Sequence, residues 1–416
     1  MHHLLVTLGS HGDTHPFIGI GRRLLARGHR VTLAANGAFE SMVRTAGLEF
    51  AELGTAEEFG KALAMPDLWH PTKGPRIVFE HGILPAMPRT YELIRSLYVP
   101  GETVVTAHAI AFGARVAQEK LGLPLATVHL APVVFRDANR PPIYGNGNRF
   151  MQYTPTWFNR ILFRVVVDAL VMDRIVAKPL NAFRAGLGLK PVKRIIDEWW
   201  NSPGLVLGLF PEWFARCEPG WPRQLRLTGF PLFDEAGTHI LPPDVEAFLA
   251  GGEPPIVFTF GSAHSHAREE LAVSAEACRQ LNRRGLLLTR FPDQVPTNLP
   301  PGVRHVAYAP FSELLPRCAA IVHHGGIGTT SQGLAAGIPQ IIAPFAHDQF
   351  DNAARIRNLG CGFELKRYRA KDLVAQLKEI LTHPSIIQNC RSAAKKLATA
   401  DPLGETCDFI EHVTPP

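Results

Sequence analysis

The stretch Ile321–Gln349, IVHHGGIGTTSQGLAAGIPQIIAPFAHDQ, constrains this chain more than any other. The apolar run from Ala319 to Val322 reads as a short buried strand, and the turn His324-Gly325-Gly326-Ile327-Gly328 follows it. Thr329 and Thr330 are placed to open a helix, which Gly337 ends and Pro339 keeps from continuing. A second apolar run, Gln340 to Ala343, then resumes the sheet. Such a βαβ unit presents unpaired backbone N–H groups and the positive end of a helix dipole at its turn. Phosphate suits that turn.

The chain opens on the same pattern. His3–Leu8 is an apolar strand that runs into Gly9-Ser10-His11-Gly12-Asp13-Thr14-His15-Pro16; a helix extends to Ala26, Gly28 stops it, and Arg30–Ala35 is the next strand. Further strands are expected at 103–107, 125–130, 205–209, 256–260 and 285–290, with a helix around 113–120. Alternating strands and helices predict an α/β chain with parallel, doubly wound sheets, whose ligands gather at the carboxyl ends of the strands. At 416 residues the chain exceeds one ordinary core, so two domains are expected. The stretch after Thr228, rich in Pro, Gly and acids, is the natural linker. The expected division is therefore 1–228, a linker at 229–255, 256–385, and 386–416 as a terminal helix (Cys390–Thr399) with a tail. One segment departs from the alternation. Trp157–Phe183 is a long, apolar helical stretch interrupted by Arg160, Arg164, Asp168, Asp173 and Arg174. It reads as an amphipathic helix packed on the core with a solvated face, although its apolar content would also suit an acceptor pocket or a membrane surface.

Composition excludes several classes. With 46% hydrophobic and 19% charged residues the chain is a folded globular protein. Its formal charge of +6 suits an anionic partner, but Lys and Arg are spread thinly, so no nucleic acid is expected. The N-terminus MHHLLVTLGSHGD has no basic leader, and nowhere do about 18 uncharged apolar residues run together, so a cytoplasmic protein is expected, a monomer or weak dimer. The six cysteines form no CxxC pair and read as ordinary buried thiols.

Tyr308-Ala309-Pro310, His324 followed by GGIGTT, Gly337-Ile338-Pro339, Pro344 and Asp348-Gln349 occur in an order that resembles the donor-binding signature of the family 1 nucleotide-sugar glycosyltransferases of GT-B fold. Gly9-Ser10-His11-Gly12-Asp13 with Pro16 resembles the start of their bacterial branch, which includes macrolide, glycopeptide, sterol and rhamnolipid glycosyltransferases. The likeness covers nearly the whole chain. It implies two doubly wound Rossmann-like domains that face each other across a cleft, the first binding an acceptor and the second a nucleotide sugar. It also implies a donor site in which Tyr308 stacks on the base and the Ala309 backbone reads its edge. The diphosphate would take the N–H groups after Gly326, with Gly328, the Thr329 and Ser262 hydroxyls and His324. Asp348 and Gln349 would bind sugar hydroxyls. The family commonly has Glu eight residues after the motif His, to hold both ribose hydroxyls, where this chain has Gln332. An uncharged amide weakens the reading of a ribose diol and leaves UDP-sugar and dTDP-sugar equally open.

Transfer with inversion needs a base on the acceptor hydroxyl, and Asp13 occupies the place where family members carry a catalytic His or, in bacterial relatives, Asp. The family's partner Asp corresponds to His108, which suggests a reversed pair, with pocket lining as the alternative role. His11, His15, His264, His266, His323 and His347 match no familiar zinc spacing, and no Asp-x-Asp pair is present, so no metal and no cofactor beyond the nucleotide-sugar co-substrate is expected. Phe112, Phe135 and Tyr144 are candidates for a site that takes a hydrophobic hydroxylated acceptor; peripheral membrane contact has no support at this level. A dehydrogenase is disfavoured because GxGxxG does not follow the first strand. An epimerase of the same fold or a nucleotide-sugar binding protein without catalysis remains as an alternative.

Overall fold

The computed structural model describes all residues except 66, 145–146, 237–240, 262–266 and 416, and only the backbone of 169–170. The chain forms two compact units: Met1–Pro231 together with Asp401–Pro416, and Leu232–Ala400.

The first unit contains β1 (His2–Val6), β2 (Arg30–Ala35), β3 (Glu49–Glu52), β4 (Thr103–His108), β5 (Leu125–His129), β6 (Leu205–Gly208) and β7 (Leu225–Leu227). These form one seven-stranded sheet in the order β3-β2-β1-β4-β5-β6-β7, all pairs parallel. Residues such as Leu4, Leu33, Val105 and Val128 are wholly buried, because helices cover both faces of a parallel sheet. The second unit contains β8 (Ile256–Thr259), β9 (Gly285–Leu288), β10 (Val303–Val306), β11 (Ala320–His323), β12 (Gln340–Ile342) and β13 (Gly362–Glu364). Their six-stranded sheet, also parallel throughout, has the order β10-β9-β8-β11-β12-β13. The order reverses between β1 and β4 in the first sheet and between β8 and β11 in the second. Strand connections leave in opposite directions at those two points, which opens a crevice at the carboxyl ends.

Where the sequence suggests a tail past Thr399, the structure has a further helix, Pro402–Glu411, which returns to the first unit. Arg23 pairs with Asp401, Arg27 and His29 each reach Glu411 at 2.7 Å, and Thr406 Oγ1 donates to Thr228 Oγ1 at 2.7 Å. The long helical stretch runs without a break from Thr156 to Gly186 and widens to π geometry over Leu162–Met172. All six cysteines are free thiols, five of them buried and Cys217 exposed. No helix among the described residues is long and apolar enough to cross a membrane.

Candidate active site

At the switch point of the first sheet, the helix His11–Ala26 begins directly beyond β1. Gly9 makes the turn at φ +118°, and a Cβ there would lie 2.3 Å from Asp13 Oδ2, so only glycine lets the carboxylate fold back. Asp13 Oδ2 accepts from Ser10 N at 2.7 Å and Ser10 Oγ at 3.1 Å, while Thr7 Oγ1 donates to the Asp13 carbonyl at 3.0 Å. Every described hydrogen bond to the carboxylate falls on Oδ2, which leaves Oδ1 able to take a proton.

His108 is the last residue of β4, the neighbour of β1. Its Nδ1 lies 3.4 Å from the carbonyl of Leu8. A carbonyl can only accept, so Nδ1 carries the proton and Nε2 presents a lone pair. Burial lowers the pKa of His108, opposed by the Asp13 charge and the Leu8 carbonyl. The imidazole is therefore neutral at neutral pH, and it feels Asp13 electrostatically. Of the three acceptor candidates, two are core residues. Phe112 is fully buried, edge-on to Trp199 at 5.5 Å, and Phe135 is 4% exposed and stacked on Trp221 at 4.8 Å. An aromatic residue suits a pocket or a core equally, and here neighbouring aromatics enclose both rings. Tyr144 keeps exposed surface.

At the switch point of the second sheet, β11 ends at His323 and the glycine turn follows. Gly325 adopts φ +97°, and a Cβ there would sit 2.6 Å from Ile342 Cγ2. The preceding His323, which the sequence gives no role in the turn, shapes it. Gly325 N–H donates to His323 Nδ1 at 3.1 Å, and His323 Nε2–H donates to Gln340 Oε1 at 2.9 Å. Burial pushes this imidazole down to about 4, so it stays neutral as an acceptor for the turn. His324 lies against both Gly261, two residues past the end of β8, and Gly326, where a Cβ would meet its Nε2 at 2.6 Å. The helix Ile327–Ala335 starts at Gly326, and its early N–H groups, including those of Gly328 and Thr329, have no partner within the helix. Ile327 N–H donates to Asp348 Oδ2 at 3.1 Å.

Asp348 and Gln349 open the helix Gln349–Asn358. Gln349 is 3% exposed and its Oε1 accepts from Phe345 N at 2.7 Å and Ala346 N at 3.0 Å, so its carbonyl end braces the loop and only its amide NH2 remains for a ligand. Asn352, which sequence reading passed over, is fully buried and donates to Gly325 O at 2.9 Å and Asp348 Oδ2 at 2.7 Å. Its spacing of four from Asp348 on a helix is the signal that could have found it. Gln332 is 7% exposed on the same helix as Thr329. Tyr308, beyond β10, has its ring face covered by Arg290 at 4.8 Å, and its hydroxyl donates to Asp234 O at 2.9 Å and Glu235 Oε1 at 3.3 Å. Burial, with the nearby carboxylates, raises its pKa, so it remains a phenol. Ala309 beside it is buried. Ser262, the remaining donor candidate, lies outside the described residues.

The second unit thus offers N–H groups, a hydroxyl and an imidazole around one helix N-terminus, while the first offers a carboxylate oxygen and a neutral imidazole. Comparison with known proteins places the chain among glycosyltransferases. Residues 3–137 match the glycosyltransferase family 28 N-terminal domain, and residues 290–407 match the erythromycin biosynthesis protein CIII-like C-terminal domain. The chain is 30% identical to the O-mycaminosyltylonolide 6-deoxyallosyltransferase of Streptomyces fradiae, over 98% of this chain and 96% of the relative. It is 27% identical to the sterol 3-beta-glucosyltransferase of Pichia angusta over 94% of this chain, and spans 32% of that longer protein. Among solved structures, the glycosyltransferase of kitacinnamycin superposes with TM-score 0.75 at 21% identity, covering 99% of this chain and 98% of that one. The glycosyltransferase VinC, in complex with dTDP, superposes with TM-score 0.69 at 20% identity over 99% of each. The chain belongs to the family 1 nucleotide-sugar glycosyltransferases of GT-B fold.

Proposed function

We propose that this glycosyltransferase is inverting and needs no metal ion, and that it moves a hexose from a dTDP-sugar to a hydroxyl of a hydrophobic small molecule. The observation that carries the reading is Oδ1 of Asp13 beside the turn after β1, which no described residue engages, while Oδ2 is held by Ser10. A base must come within about 2.6–3.2 Å of the hydroxyl it deprotonates, and a carboxylate fixed through one oxygen holds the other in place for that task. The hydroxyl oxygen then attacks the anomeric carbon from the face opposite the diphosphate, the bond to the diphosphate breaks, and configuration inverts. His108, neutral and with Nε2 as acceptor, receives the proton from Asp13.

The leaving charge falls on the N–H groups of Gly328 and Thr329, the Thr329 hydroxyl and His324, which take the part a cation would play. Asp348 and the Gln349 amide NH2 serve the sugar, and Ala309 and Tyr308 the base. A dTDP donor is preferred over UDP on two grounds: Gln332 lacks the charge that grips a ribose diol, and the VinC neighbour was solved with dTDP. The S. fradiae relative is named for a tylonolide and the P. angusta relative for a sterol, both of which would supply a hydroxyl on a large apolar body.

The test is to incubate the chain with dTDP- or UDP-sugars, with and without a panel of macrolide and sterol alcohols, and to follow free nucleoside diphosphate. Release that requires both a dTDP-sugar and an acceptor supports the proposal. Equal release without any acceptor would remove the transferase role of Asp13, and preference for UDP-sugars would remove the donor assignment.

A further inference from the structure

Of the ten large hydrophobic side chains that are exposed among the described residues, seven lie between 150 and 171, led by Tyr153 at 84% and Trp157 at 63%. Folding normally removes such residues from water, and single exposed ones need no explanation, but a contiguous group marks a binding surface. The inward side of this segment is firmly fixed. Asn159 is buried and donates to Ala138 O at 3.0 Å and Met151 O at 2.9 Å, Phe163 is buried, and Asp168 is buried in an ion pair with Arg136. Trp157, Ile161 and Val165 recur at four-residue spacing, which a helix places along one side, and all three are exposed.

Charge on this segment has one outward sign. Arg160, Arg164, Arg174 and Lys178 are exposed. Its two carboxylates turn inward: Asp168 to Arg136, and Asp173 to the backbone N–H groups of Arg194 at 3.0 Å and Ile195 at 3.2 Å. We propose that the outer face of Phe150–Val171, with its flanking basic residues, docks onto an anionic lipid bilayer. Tyr and Trp sit at the depth of the headgroups, the Ile and Val side chains enter the acyl boundary, and the guanidinium groups meet lipid phosphates. The helix lies on the surface and does not span it, as its polar inner anchors require. The inference is independent of the donor and of the base.

The experiment is co-sedimentation of the full chain with vesicles of phosphatidylcholine alone and of phosphatidylcholine with phosphatidylglycerol. Binding is expected to the anionic vesicles, to weaken as salt rises, and to be much weaker on neutral ones. Tyr153→Ser with Trp157→Ser abolishes it. Arg160→Gln with Arg164→Gln weakens it about 30-fold, corresponding to ~1 kcal/mol for each arginine removed. Circular dichroism of each variant reports folding, and the comparison of lipid compositions uses the unaltered chain alone. No binding of that chain to anionic vesicles, or unchanged binding of the Tyr153/Trp157 variant, overturns the proposal. A dimer in solution that these substitutions disperse, with no vesicle binding, would assign the face to a second copy of the chain instead.

Discussion

Asp13→Asn separates the capping contacts of this carboxylate from its proposed role as base. Its Oδ2 holds the helix N-terminus through Ser10 N at 2.7 Å and Ser10 Oγ at 3.1 Å, and the amide oxygen of Asn can accept the same two bonds. What stability loses is the negative charge at the first turn, worth about 0.3–1 kcal/mol. If Asp13 is the base, as proposed, turnover falls about 10²- to 10⁴-fold, or roughly 2.7–5.4 kcal/mol at 1.36 kcal/mol per decade. Asp13→Ala removes the cap as well and should cost a further ~1 kcal/mol of stability with little additional loss of rate. Thermal unfolding and acceptor-dependent release of nucleoside diphosphate at saturating donor measure the two quantities on the same samples. Asp13 is not the base if Asn retains turnover within about threefold of the parent, or if the rates of the two variants simply track their stabilities.

Three other outcomes follow from the geometry. His323→Ala leaves Gly325 N–H and Gln340 Oε1 without the partners they have at 3.1 and 2.9 Å, at ~1–3 kcal/mol each, so both stability and nucleotide affinity should fall; calorimetric titration with dTDP showing parent affinity would refute its role in shaping the turn. Gln332→Glu supplies the charge that a ribose diol favours, and should shift the ratio of kcat/KM for UDP- over dTDP-sugars upward by about tenfold; an unchanged ratio removes this residue from donor choice. His3, His129 and His323 are held by burial down to about 4, about 3 and about 4. The unfolded chain binds protons on them near pH 6.5 and the native chain does not, so their contribution is complete above that pH and is lost as pH falls below it, by up to ~1.4 kcal/mol per pH unit for each. Denaturant midpoints that are equal at pH 7 and pH 5 would contradict the buried neutral state.

The strands that sequence reading predicts are the interior ones, and those it leaves out are the edges. β1, β2, β4, β5, β6, β8, β9, β11 and β12 are rich in apolar residues and buried along nearly their whole length, because both faces of a parallel strand are covered. The edges β3 (EFAE), β7 (LRL), β10 (VRHV) and β13 (GFE) are three or four residues long and carry charge, which blunts an edge but erases the hydrophobic run by which a strand is recognised. The same difference governs the site. Gly9, Asp13, Gly325 and the helix start at Gly326 were legible because turn and cap chemistry is local. Asn352 holding Gly325, and the loss of Phe112 and Phe135 to the core, depend on partners far along the chain.

By itself, then, the sequence determined two parallel α/β sheets, a glycine turn at a helix N-terminus in each half, and an acid beside the first turn, since all of these follow from periodicity and backbone conformation over a few residues. Only the tertiary structure decided that β1 lies beside β4 and β8 beside β11, that the last helix returns to the first unit, that among the described residues Asp13 Oδ2 alone is engaged, and that Trp157 and its neighbours face water. Strand order, the second hydrogen bond on a carboxylate and the exposure of a helix face are each set by which distant segments pack together, and no local pattern records that choice.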